Sequence, residues 1–249
     1  MTTPLNVWTY WEGPMPPHIA VCLKSMAKAC ESPQINFHLT NPENIGTYLD
    51  DGILHPNYLQ LTQPALRADC IRAALLATHG GWWWDADTIA MQSPMALMAE
   101  HPYASALYMT WTKPPLRVLN GYIYMKAGYG TASRWLAQIN EALAHSPSGI
   151  EWCSLGEKLL TDILPHCPHA HAIPRRLFLP IDIDSSVKTF FDPHDPCLLV
   201  QNDTVCFGLN HSWFMYHKPH QMTLPPNDWA NSPLLIHRLL AQAQEALLC

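Results

Sequence analysis

The stretch LTQPALRADCIRAALLATHGGWWWDADT, residues 61–88, limits what this chain can fold into more than any other. Pro64 suits the first turn of a helix, Thr62 is placed to cap it, and Gly80-Gly81 stops it after ALRADCIRAALLATH. Ile71, Ala74, Leu75 and Thr78 make an apolar stripe, while Asp69 and Arg72, three apart, sit side by side on a neighbouring face. Beyond the glycines, Trp82–Asp85 reads as a strand apolar on both faces, as an inner strand of a covered parallel sheet should be. A helix feeding such a strand is the repeating unit of an α/β protein.

The rest of the N-terminal region repeats the alternation. Leu5–Tyr10 (LNVWTY) is a β-prone run ended by Gly13, Pro14, Pro16 and Pro17. His18–Cys30 carries Ile19, Cys22, Leu23 and Met26 at helical spacing, and Ile35–Thr40 (INFHLT) is a second strand. Asn41-Pro42-Glu43-Asn44 is turn chemistry that opens a short helix. After about residue 95, strands are expected at 104–110 and 117–125 and a helix at 131–144. Ser232-Pro233 starts a last helix with Leu235, Ile236, Leu239, Leu240, Ala243 and Leu247 on one side. No repeat or linker divides the chain, so a single domain over 1–249 is expected.

Composition narrows the function classes. Hydrophobic residues at 48% against 14% charged supply a core and exclude disorder. A formal charge of −6 with only 14 Lys and Arg gives no basic surface to follow a phosphate backbone, which argues against a nucleic-acid partner. No run reaches the roughly 18–20 apolar residues of a membrane span, and the first 17 residues lack the pattern of a secretory signal, so the expected location is cytoplasmic. The eight cysteines are scattered without a C-x-x-C pair, which fits small buried hydrophobes better than a disulfide or zinc framework.

Two aspartates, Asp85 and Asp87, follow the tryptophans. In a strand they would point to one side with Ala86 opposite, at the carboxyl edge where open α/β sheets bind ligands. Two unit charges about 5 Å apart at an effective dielectric near 20 repel by roughly 3 kcal/mol, so a positive group between them is expected. Mg²⁺ or Mn²⁺ is the economical candidate, since hard cations take carboxylates together with substrate phosphates. The plain rival is ordinary turn and N-cap chemistry, where aspartate is also favoured.

The run LRADCIRAALLATHGGWWWDADT resembles glycosyltransferases with a DXD-containing sugar-binding region, in particular the branch of capsular polysaccharide synthesis proteins. Asp69, Arg72, Gly80, Gly81, Asp85 and Asp87 all fall at that pattern's spacing. VWTYWEGPMPP resembles its opening strand, FHLTNPENIGTYL its second strand and helix, and LNGYIYMKAG a segment with an asparagine, Asn120, before a strand. SLGEKLLTDIL resembles a Gly-Pro…Leu-Thr helix with Glu157 in place of the proline, and NHSW at 210–213 a C-terminal His…Ser-Trp element.

The resemblance implies a GT-A-type fold with a Rossmann-like, mostly parallel central sheet flanked by helices. Residues 1–95 would form the nucleotide-sugar and metal half, and 96–249 the acceptor half. It also implies a nucleoside-diphosphate sugar as donor, and Mn²⁺ or Mg²⁺ near Asp85 and Asp87. By position, Asp87 would ligate the metal, and Asp85 would contact the donor and the metal shell. Asp69, Arg72 and Asn120 would hold the donor sugar and diphosphate side. Trp8 or Tyr10 would stack on the base, and His211 would be a third metal ligand or a diphosphate contact. The catalytic set is Asp69, Arg72, Asp85 and Asp87. The implied reaction is sugar transfer, with retention, to a glycan, lipid-linked or protein hydroxyl in surface polysaccharide synthesis.

Rival readings remain open at this point. Asp69 and Arg72 also read as a helix-surface ion pair, worth a few tenths of a kcal/mol. A nucleotide-sugar-binding module, or a hydrolase with water as acceptor, would use the same residues. The dense His166, Cys167, His169 and His171 suggest a zinc-binding structural protein, although their spacing fits no standard motif.

Overall fold

The computed structural model describes residues 3–111, 114–196 and 199–246. In chain order its elements are β1 (Leu5–Tyr10), α1 (Pro17–Ala29), β2 (Ile35–Thr40), α2 (Pro64–His79), β3 (Gly81–Trp84), β4 (Thr88–Ala90), α3 (Met95–Glu100), β5 (Ala106–Thr110), β6 (Val118–Met125), α4 (Gly130–His145), α5 (Leu159–Ile163), β7 (Ala170–Ala172), α6 (Ile183–Phe190), β8 (Cys206–Gly208), α7 (His211–His217), α8 (Pro219–Met222), α9 (Pro226–Trp229) and α10 (Leu235–Ala246). The chain is a mixed α/β protein. It gathers into two compact units, the first from Met1–Glu12, Pro33–Trp84 and Glu100–Ile173, the second from Gly13–Ser32, Asp85–Ala99 and Pro174–Cys249. Each unit is assembled from separated segments of the chain. Among the described residues no helix is long and apolar enough to cross a membrane.

The first unit holds a six-stranded sheet in the order β2-β1-β3-β6-β5-β7. The β1–β2, β1–β3 and β5–β7 pairs are parallel; β3–β6 and β5–β6 are antiparallel. β5 and β6 follow one another in sequence and pair directly, whereas joining parallel neighbours would need a crossover. The sequence pattern located β5 and β6 but carries no sign of their direction.

All four residues of β3 are buried. Trp83 joins Trp8, Ile123 and Met125 in a core with Ile71, Leu75, Trp135, Ile139 and Leu160 from α2, α4 and α5. Trp82 is on the opposite face, against Tyr124. A strand with tryptophans on both faces can only be internal, which accounts for its place between β1 and β6.

α2 begins at Pro64 as expected, but Gln63 rather than Thr62 occupies the cap position and makes no side-chain cap bond. The expected stripe is too narrow. Leu66 and Asp69 through Leu76 are buried, whereas Thr78 is exposed, because the helix is enclosed over most of its girth. That enclosure takes Asp69 and Arg72 inside, which overturns the surface-pair reading. Gly80 ends the helix at φ +65°, returning its N–H to the Leu76 carbonyl.

In the second unit β4 and β8 form a small antiparallel sheet, and α1 and α10 present Val21, Cys22, Leu235, Ile236, Leu239, Leu240 and Ala243 to a core with Ile89, Phe190, Phe207 and Phe214. The apolar faces expected for α1 and α10 are the buried ones. Leu247, assigned to the same face of α10, lies outside the described residues.

Gly81 marks where α2 turns into β3. Its φ is +109°, and a Cβ there would sit 2.3 Å from the Asn6 carbonyl oxygen on β1. Gly52 has φ +87° but open space around it. Gly81→Ala should therefore cost about 1–3 kcal/mol more than Gly52→Ala, since both carry the positive-φ strain and only one meets backbone. Denaturant melts of the two variants check this, and equal losses would contradict it.

Candidate functional site

The first unit places three of the expected donor residues together. Asn120 Nδ2 donates to Asp69 Oδ1 at 2.7 Å, and Arg72 Nη1 lies 3.1 Å from the same oxygen. Arg72 Nη1 also donates to the Asn120 carbonyl at 2.9 Å, and its guanidinium lies 4.7 Å from the ring centre of Trp83. Asp69 and Arg72 are 7% and 3% exposed, so this is a buried ion pair with its charges hydrogen-bonded. β6 runs antiparallel to β3 with Tyr122 opposite Trp84, so Asn120 stands just past the carboxyl end of β3. That is the edge at which an open α/β sheet takes ligands.

Trp8 and Tyr10 are both buried in the same core, at 2% and 8% exposure, but they meet different partners. Trp8 is a core residue: its ring stacks on His38 at 4.0 Å, and its indole N–H donates to the Gly80 carbonyl at 2.9 Å. Tyr10, at the carboxyl end of β1, donates its hydroxyl to Glu12 Oε2. Arg67 grips Glu12 in turn, with Nη2 at 2.8 Å from Oε1. Burial, and then the Glu12 charge, push the Tyr10 hydroxyl far above its ordinary range, so it remains a proton donor. Glu12 and Arg67 escaped the sequence reading because 55 residues separate them.

In the second unit Asp85-Ala86-Asp87 is a connection between β3 and β4, with the strand ending at Trp84 rather than Asp85. Strand alternation therefore does not govern this triplet. Even so, Ala86 is buried while both aspartates are partly open. The Asp85 carbonyl accepts the Thr88 hydroxyl. The Asp87 carbonyl accepts from the Leu209 N–H at 2.9 Å, and its Oδ2 from the His211 N–H at 2.6 Å. The latter bond caps α7, whose own N-cap residue, Asn210, is left-handed and makes no side-chain cap.

The His211 ring faces another histidine, with its Nδ1 2.9 Å from His18 Nε2. His18 Nδ1 is buried and has no hydrogen-bond partner among the described residues. A buried N–H without an acceptor costs about 1–3 kcal/mol, which favours the His18 tautomer that carries its proton on Nε2, toward His211. Burial holds both rings below their ordinary pKa, His18 at about 4, with His211 as its second cause. In that arrangement a neutral His211 would carry its proton on Nε2. His18 belongs to no motif, and nothing in the sequence pointed to it.

Among the described residues no three His, Cys, Asp or Glu side chains are gathered as a ready metal site. The 166–171 segment shows other contacts: Cys167 Sγ bonds the Ile163 carbonyl, and His171 stacks near His101. The partly open carboxylates of Asp85 and Asp87 still fit a hard divalent ion, because such an ion takes one or two carboxylates and completes its shell with phosphate and water oxygens.

Residues 2–117 match the family described as capsular polysaccharide synthesis protein. The recognition made on the residues thus holds over that stretch. No curated protein matches the chain. Several solved structures resemble it, and they are glycosyltransferases. The PaToxG glycosyltransferase is 15% identical, with 65% of this chain and 69% of that one covered and a TM-score of 0.47. GlyE of Streptococcus pneumoniae TIGR4 is 10% identical over 99% of this chain and 64% of its own, with a TM-score of 0.49. The galactosyltransferase LgtC, in complex with donor and acceptor sugar analogs, is 11% identical over 81% and 84%, with a TM-score of 0.42. The chain spans about two thirds of the length of the first two.

Three histidines give the fold a pH signature. His18, His38 and His237 fold as neutral rings with pKa values lowered first of all by burial. Their contribution is intact above the ordinary value near 6.5 and is lost as pH falls toward the folded value, about 4 for His18. Wild type should lose about 2–4 kcal/mol from His18 alone between those limits. His18→Gln should flatten that part of the profile in denaturant melts at stepped pH; an unchanged slope would remove His18 as its source.

Proposed function

We propose that this chain is a metal-dependent glycosyltransferase of GT-A type. It would move a sugar from a nucleoside-diphosphate donor to a glycan, lipid-linked or protein hydroxyl, with retention, in surface polysaccharide synthesis. The observation that supports this best is the convergence of Asp69, Arg72 and Asn120, drawn from segments 51 residues apart, at the carboxyl edge of the sheet, with Asp69 and Arg72 inside the family-matched stretch 2–117 and Asn120 just beyond it.

In the reaction the bond from the anomeric carbon to the diphosphate oxygen breaks, a bond to the acceptor oxygen forms, and the acceptor proton leaves. Asp69 and Asn120 orient sugar hydroxyls, since a carboxylate accepts and a carboxamide does both. Arg72, held rigid over Trp83, faces the diphosphate side. His211 Nε2–H is the type of donor a phosphate oxygen takes, and of the two roles open to this residue we favour that one. Of the two buried aromatics, Tyr10 at the carboxyl end of β1 is the better placed to border the base. Asp85 and Asp87 would hold Mn²⁺ or Mg²⁺, which when bound neutralises charge on the departing diphosphate. Positioning and fixed donors supply much of the remaining rate.

Thermal shift against UDP-glucose, UDP-galactose, UDP-N-acetylglucosamine and GDP-mannose, with and without Mn²⁺, tests the reading. One of them should stabilise the protein by about 2.7 kcal/mol at a hundredfold excess over its Kd. The shift should need Mn²⁺ and disappear in Asp85→Ala/Asp87→Ala. A shift that ignores both metal and substitution would defeat the assignment.

Asp69→Asn keeps shape but removes the charge that holds Arg72, so it should lower turnover by about ten- to a hundredfold. Comparing sugar release with and without an acceptor glycan separates transfer from hydrolysis. Release that no acceptor accelerates would favour the hydrolase.

A further inference from the structure

The segment before α5 is a π-helical turn, Ser154–Lys158, entered through Cys153 at φ +66°. Such turns are rare and are frequently found at functional sites. Gly156 in this turn lies against the donor-residue cluster: a Cβ on it would fall 1.9 Å from Asn120 Nδ2 and 2.9 Å from Asp69 Oδ2. No other residue fits while that pair stays in place.

Neighbouring elements hold the turn from several directions. Trp135 of α4 donates its indole N–H to the Leu155 carbonyl at 2.6 Å. Thr161 Oγ1 donates to the Glu157 carbonyl at 2.7 Å and accepts from the Val118 N–H at 2.9 Å, which joins the turn to the start of β6. The Glu157 carboxylate makes the charged clamp. Its Oε1 takes Arg117 Nη1 at 2.8 Å, and its Oε2 takes the Trp111 indole N–H at 3.1 Å. Glu157 is 8% exposed, so its charge is held by these partners rather than by water.

We infer that Glu157 is a positioning residue for the sugar side of the site. Clamped by Arg117 and Trp111, it fixes the π-turn so that Gly156 closes on the Asp69–Asn120 pair and sets how far those two groups project toward a donor sugar. The functional half of this inference rests on the glycosyltransferase reading; the mechanical half stands alone. Where the resemblance leads one to expect proline, this chain has a carboxylate that ties the turn to β5 and β6. Proline could make neither bond.

Glu157→Gln keeps the volume and removes the charge. Backbone hydrogen exchange over residues 154–158 should quicken by about tenfold or more, and the Asn120 carboxamide resonance should move, while α4 keeps its protection. Arg117→Met, at a half-exposed position, should act in the same direction without burying a new polar group. Exchange and Asn120 resonance unchanged in both variants would overturn the inference. With Mn²⁺ present, whichever of the four sugar nucleotides binds wild type should bind Glu157→Gln about ten- to a hundredfold more weakly, with UDP or GDP alone within about twofold. Equal loss for sugar nucleotide and free nucleotide would also overturn it. Failure of all four to bind wild type would instead count against the glycosyltransferase reading, and the exchange result would still decide the positioning role.

Discussion

One corner of the first unit is organised around a buried ion pair. Taking a carboxylate and a guanidinium out of water costs several kcal/mol per ion, recovered only if each finds partners inside. Asp69 and Arg72 find them in the Asn120 side chain and carbonyl and in the face of Trp83. Much of the local architecture follows from that requirement. α2 must lie deep against β3 and β6, β3 must offer an aromatic face, and the chain must return at Asn120 to supply both a donor and an acceptor.

A buried, hydrogen-bonded ion pair is weak evidence of stability, since apolar residues of similar volume often serve as well. Under the proposed glycosyltransferase reading, its value would lie in what it presents. A carboxylate and a carboxamide locked on one another at a strand edge keep a fixed hydrogen-bonding pattern before any ligand arrives, which lowers the cost of ordering on binding. The π-turn extends the same logic, because a glycine pressed on that pair leaves little room for it to relax.

The sequence disclosed this unevenly. Strands and helices up to residue 84 were readable because glycines and prolines punctuate clean apolar patterns, and the boundaries of β1 and β2 match the reading to the residue; the short strand β4 was not read. The surface-pair reading of Asp69 and Arg72 failed because periodicity describes a helix facing one core, while α2 is enclosed on most sides. Asn120 was found through resemblance alone. Glu12 with Arg67, and Arg117 with Glu157, are ion pairs whose members lie 55 and 40 residues apart, a spacing that a single sequence cannot reveal. Strand direction in β5 and β6 was hidden for a similar reason, since a pattern of burial is the same read either way.

Asp85 and Asp87 reach their accessible positions by a route other than the one the pattern suggested. Alternation in a strand would have put both on one side of Ala86, yet the triplet is a turn. Packing of Ala86 leaves both carboxylates partly open instead. The two readings of D-x-D, metal ligand and cap, then stop being exclusive. Asp87 Oδ2 accepts from the His211 N–H, and an ionised carboxylate offers about four lone-pair positions on its two oxygens. A group already fixed by a backbone donor loses less freedom on taking a cation than one that must be ordered first. Capping α7 is in this view the preorganisation that a ligand role would require, and the same bond ties His211 to the aspartate beside which it would meet a phosphate.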